Sequence, residues 1–225
     1  MVRKDDRVTM PTTEWVKRPI DELELIGGEV CLDFANSLGG TREEPKERLH
    51  DYGDLVRWAA HAGAIEGAEV QSLLAAAEAR PAEAESVFAR AVRLREAIYR
   101  IFAGVADDAS PVADDLQRLN DELARALPHL RIVPDEHGFD YRFDTAAGAL
   151  DRPLWPVVRS ASELLAVGDL ARIKQCTSDE CDWLFVDLSK NRSRRWCDMR
   201  DCGNRAKARR YYRRQRGARG SAASG

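Results

Sequence analysis

Four of the five cysteines of this 225-residue chain are grouped in one short stretch, as two pairs with equal internal spacing. Cys176 and Cys181 are separated by four residues, fifteen residues follow, and Cys197 and Cys202 are again separated by four. Two such pairs supply the thiolates of a tetrahedral Zn²⁺ site when the chain between them folds back as a hairpin. Four sulfurs leave no position for a catalytic water, so we predict one structural zinc ion. The alternative is four reduced cysteines that cluster without metal.

The surroundings of the cysteines agree with a small metal-stabilised module. A subdomain of about 40 residues buries too little apolar surface to fold alone, and metal ligation is one way to compensate. Trp183, Phe185 and Trp196 are expected to form its miniature core. Cys31 lies among apolar residues far from the cluster and is predicted to be a buried, unreactive thiol.

Charge is distributed unevenly along the chain. From residue 169 to the end there are fifteen Lys/Arg and seven Asp/Glu, a balance of +8, whereas residues 1–168 carry −11 and the whole chain −3. This asymmetry indicates a basic element that contacts a polyanion, carried by an acidic body that does not.

The basic element is predicted to be a helix that begins after Cys202 and ends at Gly217. On a helical wheel, Ala208, Tyr211, Tyr212 and Gln215 form a stripe that is expected to lie against the zinc module. The opposite, outward arc holds the cations of the helix, Arg205, Lys207, Arg209, Arg210, Arg213, Arg214 and Arg216. Seven cations on one face favour binding to phosphates. The alternatives are a solvated basic tail and a helix that binds an acidic protein surface.

Residues 21–168 read as an α-rich domain. Apolar residues recur at helical spacing in six segments, and Asp51 is a predicted N-cap. The segments are 29–38, a helix between Asp51 and Gly63, 69–79, 82–105, 114–127 and 154–165. Alternation over Leu130–Val133 and Phe139–Asp144 predicts one β-hairpin.

The predicted fold class is therefore a mainly α N-terminal domain with a small β-hairpin, followed by a small α+β module with a β-hairpin and a basic helix. Residues 1–20 are expected to be a disordered leader, 21–168 the α-rich domain, 169–216 the zinc module and 217–225 a disordered tail.

Two groups of motifs resemble known domains. The four cysteines, with the strings Arg194-Arg195-Trp196-Cys197 and Cys202-Gly203-Asn204-Arg205, are similar to the CGNR zinc finger. The segment Cys31-Leu32-Asp33-Phe34-Ala35-Asn36-Ser37, followed by Arg42 and Trp58, resembles the ABATE domain that precedes this finger in a bacterial family. The resemblance spans about residues 22–216. It implies a stress-responsive transcription regulator with a zinc-dependent DNA-binding module and an N-terminal sensing domain.

Several motif residues receive physical roles within this resemblance. Gly203 is expected to provide a positive φ or a close backbone approach, and Asn204 to cap the basic helix. Asp187 and Asn191 are expected to close the turn of the hairpin between the two cysteine pairs. Arg194 and Arg195 suit phosphate contact and thiolate neutralisation equally well.

Asp33 and Asn36 share a helix face amid apolar neighbours, and with Arg42 they suggest a ligand pocket for an unknown small-molecule effector. A buried polar pair with a structural role is the equal alternative.

The functional expectation is a regulator that binds double-stranded DNA. An RNA- or ribosome-associated zinc module and a protein-docking adaptor are the alternatives. The four histidines show neither ligand spacing nor a triad context and there is no glycine-rich phosphate loop, so an enzyme is not expected. Because no apolar stretch reaches membrane-spanning length and no export signal is apparent at the N-terminus, a cytoplasmic protein is expected. Oligomeric state remains open.

Overall fold

The computed structural model describes residues 20–144 and 148–221, except the side chains of Asp21 and of residues 213–221. Most of the predicted leader, residues 222–225 of the predicted tail, and the side chains of Arg213, Arg214 and Arg216 lie outside the described part. No helix in that part is both long and apolar enough to cross a lipid bilayer.

The N-terminal domain is helical, as predicted. Its helices are α1 (Val30–Ala35), α2 (Tyr52–His61), α3 (Gly67–Ala79), α4 (Pro81–Ala106), α5 (Ala113–Ala126) and α6 (Trp155–Val167). Asp51 caps α2, its side chain accepting a hydrogen bond from Asp54 N at 2.8 Å, and Gly63 follows the helix at φ +68°. Helix α1 is shorter than predicted, because the chain turns at Asn36 and Ser37.

Three two-stranded antiparallel sheets complete the described fold. They pair β1 (Gly39–Gly40) with β2 (Pro45–Lys46), β3 (Leu130–Asp135) with β4 (Gly138–Phe143), and β5 (Ile173–Gln175) with β6 (Leu184–Val186). The β3–β4 hairpin confirms the predicted alternation. The β1–β2 pair lies between the first two predicted helical segments, where no strand is predicted.

The core of the N-terminal domain forms where α1, α2, α4 and α6 meet. Trp58 and Trp155 are its largest fully buried side chains, and the Trp58 ring lies 4.9 Å from the ring of Phe34. Cys31 has no exposed surface, which confirms its predicted burial, and burial raises its pKa to about 12, so that the thiol stays protonated at neutral pH.

The β5–β6 hairpin joins the two parts of the chain because its faces differ. Ile173 and Leu184 point into the core of the N-terminal domain, whereas Phe185 packs with the four cysteines. Successive side chains of a strand point to opposite faces, so one short hairpin serves two cores.

Candidate zinc centre and nucleic-acid interface

The four predicted ligands converge at one point. Cys176 and Cys181 lie in the turn between β5 and β6, held by hydrogen bonds from Cys176 N to Trp183 O (2.8 Å) and from Cys181 N to Ser178 O (3.1 Å). Cys197 and Cys202 lie on a second turn that ends in one π-helical turn, Met199–Gly203. The hairpin therefore carries the first cysteine pair at its tip, and the prediction of a hairpin between the two pairs is wrong.

The sulfur positions fit a tetrahedral metal. All four Sγ atoms lie within 4.8 Å of one another, and Cys197 Sγ is 3.6 Å from the Sγ atoms of Cys181 and Cys202. Zinc thiolate bonds of about 2.3 Å place tetrahedral ligands about 3.8 Å apart. All four cysteines are buried and none forms a disulfide. The residues thus form a closed site for one structural Zn²⁺.

The four sulfurs cannot all be thiolates without a cation. Hydrogen bonding to Cys176 raises the pKa of both Cys181 and Cys197 above the ordinary thiol value, because a thiolate beside them disfavours further ionisation. A bound Zn²⁺ removes this repulsion and allows four thiolates.

Helix α7 (Asn204–Ser221) begins directly after the last ligand. Asp198 caps the π-helical turn that leads into α7, and its side chain accepts a hydrogen bond from Arg200 N at 2.7 Å. Asn204 instead donates to Arg200 O at 2.9 Å, so the prediction that Asn204 caps the helix is wrong. Gly203 does provide a close approach, because a Cβ there would lie 2.8 Å from Met199 Sδ. The helix also continues through Gly217 to Ser221, beyond its predicted end.

Two arginines anchor α7 to the cysteine turns. Arg205 donates to Cys202 Sγ at 3.1 Å, and both Arg205 and Arg209 contact Glu180, at 3.4 and 2.7 Å. Arg209 also donates to Ser178 Oγ at 3.2 Å. Sequence reasoning missed Glu180, since nothing in its spacing distinguishes it from other surface acids.

The predicted orientation of α7 is therefore wrong. Arg205 and Arg209 face the zinc module, whereas Tyr211 and Tyr212, expected to lie against it, are exposed. The physical reason is charge: the thiolates and Glu180 make the module surface anionic, so it binds guanidinium groups in preference to tyrosine rings.

The two arginines before Cys197 have different surroundings. Arg194 donates through Nε to Trp196 O at 3.0 Å and through its guanidinium to Cys197 O, and it lies 4.3 Å from the centre of the Phe185 ring. These contacts hold the second cysteine turn in place. Arg195 is exposed and only approaches the ring of Trp196, at 5.4 Å. Arg194 thus has a structural position, and Arg195 is left accessible.

Asp187 organises the segment between the cysteine pairs. Its fully buried carboxylate accepts hydrogen bonds from Lys174 Nζ (2.7 Å), Ser189 N (2.9 Å) and Arg194 N (3.0 Å). Burial alone would raise its pKa, but these bonds, led by the one from Lys174, hold the pKa of Asp187 well below the usual range. Asp187 thus closes a turn between the cysteine pairs, as predicted, although that turn is not part of a hairpin, and Asn191 is exposed on it.

Family comparisons agree with this geometry. Residues 28–168 match the ABATE family, described as "Putative stress-induced transcription regulator", and residues 172–215 match the CGNR zinc finger. The chain belongs to the ABATE family. No curated protein matches the chain.

The ABATE motif residues contact the CGNR zinc finger instead of lining a shared cavity. The buried Asn36 side chain donates to Leu184 O at 2.8 Å and accepts from Leu184 N at 2.9 Å, which completes the open edge of β6. The Arg42 amide donates to Asp182 at 2.8 Å, and its guanidinium lies 3.5 Å from the centre of the Tyr99 ring. Asp33 accepts from Gly27 N at 2.7 Å.

These contacts favour the structural alternative for Asp33, Asn36 and Arg42, and a ligand pocket at these residues stays a prediction. Each of the three side chains is used to hold the chain around α1 or to join it to the zinc finger. A Cβ on Gly27 would lie 2.9 Å from Asp33 N, so glycine is required at this contact.

Proposed function

We propose that this protein is a zinc-dependent, DNA-binding transcription regulator without enzymatic activity. It acts in the cytoplasm, with the ABATE domain as its sensing part. The observation that carries the proposal is the separation of its basic residues into anchored and unpaired groups. Arg194, Arg205 and Arg209 are anchored by protein contacts, whereas Arg195, Lys207 and Arg210 are exposed and form no ion pair with any described residue.

Two of these three unpaired cations line one groove. Arg195 and Arg210 line it together with the anchored Arg209, the exposed Asp179 and the ring of Trp196, and its volume is about 480 Å³. Lys207 lies one turn before Arg210 and so shares a helix face with it. Cations held on a rigid helix and a metal-fixed turn suit phosphate oxygens, because their positions are ordered before binding. Helix α7 extends beyond this groove, so its outer face is long enough to follow a DNA groove.

The test is the salt dependence of binding to duplex DNA, measured by fluorescence anisotropy with zinc-loaded protein. For about six phosphate contacts, log K falls with log salt with a slope near −5. Arg195→Ala/Arg210→Ala is expected to weaken binding to all sequences and to reduce the slope by about 2. The control is Arg118→Ala/Arg125→Ala, which removes the same charge from exposed positions on α5.

Three results would contradict the proposal. A slope near zero would exclude phosphate-dominated binding, and equal effects of the two double variants would exclude this groove. Tighter binding to structured RNA than to duplex DNA at equal salt would favour an RNA-associated zinc module. Crosslinking in cells, with a Cys176→Ser/Cys202→Ser control, should give discrete DNA sites that are lost in the control.

A further inference from the structure

A cavity of about 440 Å³ opens in the ABATE domain, and none of Asp33, Asn36 and Arg42 lines it. It lies between the α2–α3 connection, the β3–β4 hairpin and the first turns of α6. Its lining combines apolar, aromatic, acidic and basic side chains, among them Ile65, Glu69, Tyr141, Phe143, Arg152 and Arg159. Its volume is within the range of small-molecule sites, about 300–1,000 Å³.

Arg152 is the unusual residue of this cavity. It is only 8% exposed, yet its hydrogen bonds are long, at 3.2 Å to Glu69 and 3.3 Å to Ala64 O. Its Nε lies 3.0 Å from Glu69 but is not aligned for a hydrogen bond. Burial lowers the pKa of Arg152 despite the attraction of Glu69. A buried cation that is compensated so incompletely favours a further anion.

The other charges of the cavity leave an excess of donors. Glu163 pairs with Arg159 at 2.8 Å, and the Glu66 carboxylate accepts the backbone hydrogen bond that caps α3. Arg142 also borders the cavity, but its backbone pairs with Arg131 in the β3–β4 ladder, and its side chain lies on the opposite face of β4 from Tyr141 and Phe143. The carboxylates are thus satisfied, while the buried Nε of Arg152 makes no hydrogen bond with the described residues.

The remaining walls are apolar and partly aromatic. Ile65, Phe143 and Pro156 line one part, and the ring of Tyr141 is about half exposed, with the Arg159 guanidinium 4.7 Å from its centre. A flat apolar group would cover these surfaces, and burial of such a group against aromatic rings is favourable.

We propose that this cavity binds a small aromatic or heterocyclic carboxylate. Its carboxylate contacts Arg152 and Arg159, and its ring lies against Tyr141 and Phe143. The proposal rests on the proposed function, since it assigns the chemical class of the ligand that the ABATE domain senses.

The cavity is connected to the zinc finger by direct contacts. Ser160 lines the cavity, and its Oγ accepts a hydrogen bond from Cys31 N at 3.2 Å. Cys31 begins the helix that leads to Asn36, whose side chain pairs with Leu184 of the zinc finger. A ligand that shifts α6 therefore has a short route of contacts to β6.

The experiment uses zinc-loaded full-length protein without DNA and a panel of benzoate, nicotinate and indole-3-carboxylate, each compared with its neutral amide. Thermal unfolding and calorimetric titration measure binding. A carboxylate of the panel is expected to raise the unfolding temperature and its amide to have at least a tenfold weaker effect, because ligand that binds only the folded state stabilises it. Arg152→Gln and Arg159→Gln are each expected to weaken binding about tenfold, the loss of one charge-assisted contact.

The control variant is Arg131→Gln, which changes the cross-strand neighbour of Arg142 without touching the cavity. Absence of binding across the panel, equal binding of acids and amides, or an equal effect of Arg131→Gln would each overturn the proposal. Because this assay contains no DNA, failure of DNA binding would leave a positive result intact. If both ligand and DNA bind but neither affects the other, the assignment as the sensed ligand is wrong.

Discussion

Asp33 is a single residue in which burial and charge oppose each other. Its carboxylate is 9% exposed and accepts the Gly27 amide. Desolvation raises its pKa from 3.8 to about 6, although the Gly27 hydrogen bond works in the opposite direction. At neutral pH the folded protein therefore holds a buried charge that the unfolded chain exposes to water at lower cost.

Replacing Asp33 by Asn should remove this cost while keeping an acceptor for Gly27. Below about pH 4 the carboxyl is protonated in both states and the two proteins should have similar stability. As the pH rises through 6, the buried acid of the wild type ionises and no longer adds to the free energy of unfolding. The Asn variant, which cannot ionise, should then be more stable than the wild type by about 3 kcal/mol. Urea unfolding between pH 4 and 7.5 measures the difference. Nearby Glu29 and His61 are present in both proteins, and a pH-independent difference would contradict this assignment.

Helix α7 shows how one element can be both anchored and exposed. Its first two turns are attached through Arg205 and Arg209 to Glu180, and the positions between them, such as Lys207, face solvent. A helix with this few apolar residues has little hydrophobic drive to dock. Ion pairs and the thiolate contact therefore set its direction relative to the metal.

Glu180→Gln is expected to loosen the first turns of α7 without releasing zinc. Glu180 is 57% exposed, so its two ion pairs together stabilise the docked helix by about 1 kcal/mol, which corresponds to about a fivefold loss of amide-exchange protection. Hydrogen exchange of residues 205–209 measures this loss. Asp179→Asn is the matched control, since Asp179 is an exposed neighbour without an ion pair among the described residues. Equal exchange in both variants would show that Glu180 does not anchor the helix.

The whole molecule behaves as two cores that share one hairpin. Ile173 and Leu184 belong to the ABATE core and Phe185 to the metal cluster, while Trp183 donates to Leu38 O at 3.1 Å. Such an arrangement differs from a finger on a flexible linker, because the zinc finger cannot reorganise without exposing apolar surface of the ABATE domain.

Removal of zinc should therefore affect both domains. Chelation is expected to release one ion per chain, expose Trp183 and Trp196, and lower the unfolding temperature of the whole chain, since structural zinc binding contributes about 10 kcal/mol or more to folding. Hydrogen exchange should increase at Asn36 and Leu38 as well as in the finger. Cys31→Ser should leave the zinc content at one, because Cys31 is remote from the site. Unchanged exchange in α1 after chelation would show that the two cores are independent.

Local patterns in the chain were enough to predict the zinc ligands, the helical ABATE domain and the β3–β4 hairpin. Thiolate pairs, helical periodicity and strand alternation are properties of neighbouring residues, so they can be read before the fold is known. They also predicted the burial of Cys31.

Tertiary structure alone decided the partners of polar side chains. Asn36 meets Leu184, 148 residues further along the chain, and the cavity around Arg152 combines segments between residues 63 and 163. The orientation of α7 followed from the anionic surface of the folded metal site, which a helical wheel does not contain. Long-range hydrogen bonds and ion pairs depend on which elements become neighbours, and that is set by the packing of the whole core.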